Sequence, residues 1–372
     1  MNEKRFIDRL MEMIAIDSPS LMEKPMSEYL IKHFKERGLE VSADDSGREY
    51  GSSGQNVLVH IPGSLSLPPI CFNAHMDTVE PGRGIEAVFE EGRLRSAGDT
   101  ILGADDKAGI AMLLEAYEEL REKGIPHREM YFLFTIGEEI MRGADHYDTS
   151  GILAKYMFIL DGAGAPKYLC RASKGKMFLK CRFHGKSAHA GVDLHEGINA
   201  VCMASDGVVS IMEKTAGLRK ETALGTTLNV SSIRGGEDGP TVPSYAEVTI
   251  ELRSFSQEEM EELSKIIKKE VCMSAEKYGG KAFVEAESVC RPYHAQTEEY
   301  LYKRTGEAII NEGLDPVEVM TGGSSDGNIF GERGFVCSGL GIGIYNVHTT
   351  EEYMELEETK AAYRIMLDIM TR

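Results

Sequence analysis

Ile70-Cys71-Phe72-Asn73-Ala74 runs directly into His75-Met76-Asp77-Thr78. The first half is largely apolar on successive positions, so a strand built from it would bury both faces; the second half turns polar, as a chain does when it leaves a sheet. Four further runs have the same character: Asn56 to His60, Met130 to Ile136, Tyr156 to Leu160 and Phe335 to Leu340. Helical patterns separate them, roughly over 3–15 and 22–37 and from Lys107 to Lys123, the last ended by Gly124. Doubly buried strands alternating with helices predict an α/β domain, a mixed, largely parallel sheet flanked by helices.

Working outward, residues 174–289 read differently. Strand (Met177 to Phe183), helix (Gly197 to Met212), strand (Thr227 to Ile233), strand (Ala246 to Leu252), helix (Gln257 to Lys277) and strand (Ala282 to Glu287) follow in the ferredoxin-like β-α-β-β-α-β order. Ser256 and Glu259 offer a capping box for the second helix. An inserted α+β domain at 174–289, with 1–173 and 290–372 forming the larger domain, is therefore expected. A length of 372 residues suits that division.

Ligands of open α/β sheets collect beyond the carboxyl ends of the strands. Here those ends carry His75 and Asp77, Glu138 and Glu139, and Asp161; Asp105 opens the long helix, and His348 follows the last run. Taken singly, such a histidine is an ordinary structural residue, and such an acid caps a helix or lies in solvent. Taken together, like charges crowded at one edge raise one another's pKa, and a multivalent cation removes that conflict. Nitrogen and oxygen ligands without thiolate suit zinc, with cobalt and manganese as equivalents, and two such ions sharing a carboxylate activate water for hydrolysis.

Composition narrows the partners. Forty-one Lys plus Arg against sixty Asp plus Glu give a net charge of −19, which argues against nucleic acid and anionic membranes. Seven cysteines without C-x-x-C spacing suit reduced thiols in a cytoplasmic protein. Met1 to Ser20 interleaves charges with apolar residues, as an amphipathic helix does and a signal peptide does not.

Five stretches, His75-Met76-Asp77-Thr78, Gly98 through Ala111 (with Gly103-Ala104-Asp105-Asp106-Lys107 at its centre), Glu138-Glu139, Asp161-Gly162 and Asn346 through Tyr353, resemble the peptidase T-like metallopeptidases. These sit within the two-zinc exopeptidase superfamily that includes tripeptide aminopeptidase, carboxypeptidase G and aminoacylase. The resemblance spans essentially the whole chain. It implies that Asp105 bridges two metals, that His75 and Asp161 complete one site, and that Glu139 and His348 complete the other. It further implies that Glu138 is the general base acting on a metal-bridged hydroxide, and that Asp77 orients His75 from two residues away. In Gly185-Lys186-Ser187-Ala188-His189-Ala190-Gly191 it makes His189 the donor that stabilises the oxyanion, often from a partner subunit. Asn229 and Arg253 match substrate-binding positions, and Ser324 and Ser325 belong to a substrate-binding turn. The implied protein is a metal-dependent aminopeptidase that closes its domains on a small peptide, with a tripeptide as the expected substrate and the insert serving as lid and as the expected face of a homodimer.

Two positions depart from the tripeptidases. Thr321 stands where they carry an arginine before Gly-Gly, and Phe134-Thr135-Ile136-Gly137 replaces a Pro-Asp pair before the catalytic glutamate. The hydrolytic residues are retained while the arginine position of this loop is not, which puts tripeptide specificity in question and points to a peptidase T-like branch. The same machinery would serve an N-acyl amino acid amidohydrolase or a carboxypeptidase. A metal-bound peptide-binding protein is a reading of another class, which a retained Glu138 disfavours. Gly323-Ser324-Ser325-Asp326-Gly327 matches G-x-S-x-G, but a serine hydrolase needs serine, acid and histidine in that order, and Glu332 is the sole acid between Ser325 and His348.

Overall fold

Ile70–His75 and Met130–Thr135 are buried at every position, as doubly apolar runs require, and they form the centre of a six-stranded sheet. The structure is a computed structural model that describes residues 1–219, 224–237 and 239–372. Across the sheet the order is Glu40–Ala43, Val57–Ile61, Met130–Thr135, Ile70–His75, Tyr156–Ile159 and Val336–Gly339. The last four strands are mutually parallel, whereas Val57–Ile61 and Glu40–Ala43 pair antiparallel at one edge. The protein is thus a mixed α/β fold with a largely parallel central sheet.

Register sets up the functional edge. Phe72 lies beside Phe132 on one neighbour and Phe158 on the other, and Phe34 of the Lys24–Lys35 helix stacks on Phe134 at 5.7 Å. This aromatic layer holds the strands in step, so that His75, opposite Thr135, ends its strand level with the approach to Glu138. The Ala104–Lys123 helix starts earlier than its apolar pattern suggests. Asp105 and Asp106 lie in its first turn with non-helical backbone, which turns them away from the helical path.

A second, small sheet runs Ile344–Tyr345, Tyr353–Glu355, Arg93–Ser96 and Ala87–Glu90, all antiparallel. It sets the loop between Tyr345 and Tyr353, which carries His348, beside the chain that leaves Ser96 for Asp105.

By its contacts the chain divides into two compact units. One comprises Met1–Arg171, His294–Val319 and Ser325–Arg372; the other comprises Ala172–Tyr293 together with Met320–Ser324. The second unit is a four-stranded antiparallel sheet in the order Thr227–Gly235, Tyr245–Ser254, Gly175–His184 and Lys281–Cys290. Alternate residues Met177, Leu179, Cys181 and Phe183, with Ala246, Val248, Ile250 and Leu252, pack under the Ala200–Lys214 and Gln257–Lys277 helices. Ser256 caps the second of these by accepting from the Glu259 N–H at 3.2 Å. The Glu259 carboxylate accepts from the hydroxyls of Thr226 and Ser254, and the Ser256 N–H donates to Ser254 Oγ, so the box is formed on one side. Among the described residues, no helix is long and apolar enough to cross a membrane.

Candidate metal centre

His75 is 1 % exposed and takes its place from the strand it ends. Its Nε2 lies 3.2 Å from Asp105 Oδ1 and 3.8 Å from Asp161 Oδ1. The other oxygen of Asp105, Oδ2, lies 3.3 Å from Nε2 of His348, which is also 3.0 Å from Glu139 Oε2. One carboxylate therefore faces two imidazoles that are far apart in sequence. His75, Glu138 and Asp161 form one group of donors within 4.8 Å of one another, and His75, Asp105 and Glu139 form a second. His348 is half-exposed and sits at a φ of 64°, a left-handed backbone that non-glycine residues adopt where the surrounding structure enforces it.

Electrostatics shows what the cluster is suited to hold. Burial, reinforced by Asp105, holds the Asp161 carboxyl well above its usual range, and burial with Asp161 does the same to Glu138. Glu139 is also raised by burial, against the pull of His348. Burial opposes a charge on His75, but the carboxylates of Asp105 and Asp77 prevail and raise it, while His348 is pushed up to about 10 by Asp105 and then Glu139. Asp105 is held down by both histidines despite its burial. Glu138 Oε1 is buried and has no hydrogen-bond partner among the described residues. A set of carboxylates that suppress one another's ionisation around imidazole nitrogens, with an oxygen left over, suits divalent cations.

Supports behind these side chains differ from what adjacency suggested. His75 Nδ1 meets the backbone carbonyl of Asp77 at 3.0 Å, and the Asp77 carboxylate stands off at 3.6 Å. That carboxylate accepts from the N–H groups of Glu138 (2.9 Å) and Glu139 (3.2 Å) and from Ser20 Oγ (2.7 Å). Asp77 thus pins the turn carrying Glu138 and Glu139, and its orienting contact with His75 is made chiefly through the main chain. Gly137, at a φ of 61°, permits that turn, and its N–H is held by the buried Glu23 at 3.1 Å. Asp106 accepts from the N–H of His75 (3.3 Å) and of Gly109 (3.2 Å), bracing the end of the strand. Asp326 is buried, accepts from Thr135 Oγ1 at 2.5 Å, and is raised to about 6 by burial.

Of the remaining candidates, His189, Asn229, Arg253 and Ser324 belong to the second unit and Ser325 to the first. His189 is exposed in the second unit, where its Nδ1 accepts the Gly191 N–H at 3.1 Å. Asn229 is exposed on its strand, 3.4 Å from Ser231 Oγ. Arg253 donates to Glu251 at 2.8 Å and to the Gly322 carbonyl at 3.3 Å. Ser324 Oγ donates to the Lys174 carbonyl at 2.7 Å. Ser325 caps the Asp326–Glu332 helix, its Oγ accepting from Gly327 and its N–H donating to Asn328, so this serine of the G-x-S-x-G match has a capping role that the sequence did not announce.

Residues 71–372 match peptidase family M20/M25/M40. The chain belongs to the M20 peptidases. It is 33% identical over 360 residues to the uncharacterized protein YqjE of Bacillus subtilis, covering 96% of this chain and 95% of that one. Among solved structures it is similar to a tripeptidase from Staphylococcus aureus, with a TM-score of 0.92 at 28% identity, covering 100% of this chain and 98% of that one. It is also similar to aminopeptidase PepT from Bacillus cereus, with a TM-score of 0.88 at 31% identity and the same coverage. This M20 peptidase is peptidase T-like.

Two supports in this M20 peptidase escaped sequence reasoning. Glu23 precedes Lys24 and Pro25 at the start of a helical pattern, and nothing local marks it off from Glu28. Glu352 lies inside the motif that follows His348, yet nothing local marks it off from Glu351; its carboxylate is buried against the backbone of residues 102–105.

Proposed function

We propose that this M20 peptidase is a two-metal exopeptidase that hydrolyses small peptides, with tripeptides as first candidates and Glu138 as general base. The observation that carries the reading is the division of Asp105, whose Oδ1 faces His75 and whose Oδ2 faces His348. In this reading His75, Asp105 and Asp161 hold one ion, and Asp105, Glu139 and His348 hold the other. The bound ions, zinc with cobalt or manganese as equivalents, supply Lewis acidity toward a peptide carbonyl and toward water.

Glu138 is suited to move protons. It is 5 % exposed, burial holds its pKa well above the usual range, and its Oε1 is uncommitted. It would take a proton from the attacking water and return it to the leaving amine, while Asp77 fixes its main chain. His189 accepts at Nδ1, which leaves Nε2 to carry the ring proton toward an oxyanion. Arg253 and Asn229 are assigned to the substrate's carboxylate or carbonyl groups by resemblance. Likeness to the Staphylococcus aureus tripeptidase and to aminopeptidase PepT supports the peptide class. Thr321 supports a termini preference that differs from that of tripeptidases. All seven cysteines carry free thiols, in keeping with a cytoplasmic setting, and the edge strands of the second unit offer a face for a homodimer.

The test is hydrolysis of tripeptides, dipeptides and N-acyl amino acids by the purified protein, with zinc, cobalt or manganese and after chelation. Glu138→Gln should keep its metal and lose turnover by about 10²–10⁴-fold. Wild-type turnover in that variant, or activity that survives chelation and yields to a serine reagent, would overturn the proposal.

A further inference from the structure

Helix Ala104–Lys123 begins at Gly103, which has no side chain to cap the free N–H groups of the first turn. The regular turns, which follow the non-helical Asp105 and Asp106, are capped by Asp106 through the Gly109 N–H, and the segment that leads into them is held by a carboxyl group from some 250 residues away. Glu352 is 1 % exposed; its Oε2 accepts from the N–H groups of Leu102 (2.9 Å) and Gly103 (2.8 Å), and its Oε1 accepts from the N–H of Asp105 (3.0 Å). Three amides of one short segment converge on both oxygens of one side chain, and a carboxyl group is suited to this because it offers two acceptor oxygens.

Consider what lies on either end of this clasp. Asp105 presents its two oxygens to His75 and His348, and Glu352 follows His348 by four residues in the same loop, its own N–H bonded to the Thr349 carbonyl at 3.1 Å. The bond from Glu352 to the main chain of Asp105 therefore fixes the distance between the loop that carries His348 and the residue His348 faces. We infer that Glu352 is a positioning residue that sets Asp105 and His348 relative to one another, and so tunes the affinity of the centre for divalent cations. The inference rests on the two-metal reading above.

An ordinary helix cap would affect stability alone, so the test must read the metal. Glu352→Gln preserves size but exchanges one acceptor oxygen for an NH₂ donor. At least one of the three amides then loses its acceptor. Titration of the metal-free protein with zinc or cobalt alone should show affinity for at least one ion lowered by about 10–100-fold, the usual cost of losing a ligand's supporting partner. The absorption bands of the cobalt-loaded protein should shift as well. Asn199→Ala is the control: Asn199 caps the Ala200–Lys214 helix in the second unit by accepting from Val201 and Cys202, and its loss should cost stability while leaving metal affinity unchanged. Glu352→Asp, which keeps the charge but shortens the reach, should weaken binding in the same direction. Hydrogen exchange on the wild-type chain needs no variant and should find the amides of Leu102, Gly103 and Asp105 protected. Wild-type affinity and spectrum in either Glu352 variant, or unprotected exchange at those amides, would overturn the positioning role. Failure of the wild-type protein to bind a pair of ions would instead overturn the two-metal reading.

Discussion

Asp77→Asn isolates how the centre is supported. Asp77 is 0 % exposed and its two oxygens serve three donors: Oδ1 takes the Glu138 N–H, and Oδ2 takes the Glu139 N–H and the Ser20 hydroxyl. An asparagine of the same shape has one acceptor oxygen. If that oxygen occupies the Oδ2 place, the Glu138 N–H faces an NH₂ group; if it occupies the Oδ1 place, the Glu139 N–H does, and the Ser20 hydroxyl must turn. A hydrogen bond to a buried charged acceptor contributes about 1.5–3 kcal/mol, so losing one and opposing two donors costs about 2–3 kcal/mol. Relief of repulsion with Glu23, whose carboxyl is raised by burial and then by Asp77, offsets part of that in the metal-free protein. For a folding unit of this size the melting midpoint should fall by about 4–6 °C. The functional effect should be larger than the stability loss implies, because the freed turn carries Glu138 and Glu139; kcat should fall by about 10–100-fold in fully metal-loaded protein. Calorimetry and steady-state kinetics on Asp77→Asn and Ser20→Ala provide the assay. Ser20→Ala removes one hydroxyl and leaves both amides held, so it should cost about 1 kcal/mol and little turnover. Asp77→Asn with wild-type kcat would show that the turn is held by something other than this carboxylate.

Two further outcomes follow from groups outside the centre. His33 lies 8 % exposed on the Lys24–Lys35 helix, and burial, aided by Arg37 and Arg9, lowers its pKa to about 3 from an unfolded value of about 6.5. The folded form keeps the ring neutral while the unfolded form takes up a proton, so stability is present above pH ~6.5 and is lost as pH falls toward ~3 at up to about 1.4 kcal/mol per unit. In His33→Leu, denaturant titrations across that range should lose this part of the acid slope; an unchanged slope would exclude His33 as its source. Gly162 follows Asp161 and packs so closely that a Cβ there would lie 1.9 Å from the Leu340 carbonyl oxygen. Because the obstacle is main chain, Gly162→Ala should cost about 3 kcal/mol or more and pull Asp161 from its partners, lowering both melting midpoint and bound metal; a wild-type midpoint would refute the packing argument.

The legible parts of this fold are those with a local cause. Burial on both faces makes Ile70–His75 and Met130–Thr135 apolar throughout, and alternation with helices implies a parallel arrangement. Val57–Ile61 is as apolar as its neighbours, so nothing in its composition tells that it runs antiparallel to Met130–Thr135. The long helix is readable from Lys107 onward, where its pattern is regular. Its first turn, distorted at Asp105 and Asp106, is not, because that backbone is held by partners from distant segments. Ser325 reads as a nucleophile motif or a substrate turn until Asn328 is found completing a cap around it.

From the amino-acid order alone came the chemical kinds of the donors and their place at strand ends, since both follow from where an apolar run stops and what comes next. Tertiary structure alone determined which carboxylate meets which N–H. Asp77 reaches the amides of Glu138 and Glu139, Glu23 reaches Gly137, and Glu352 reaches Leu102, Gly103 and Asp105. A backbone amide is the same group at every residue and leaves no mark on the sequence, so a side chain that bonds to it across 60 or 250 positions can be recognised only once the chain has folded.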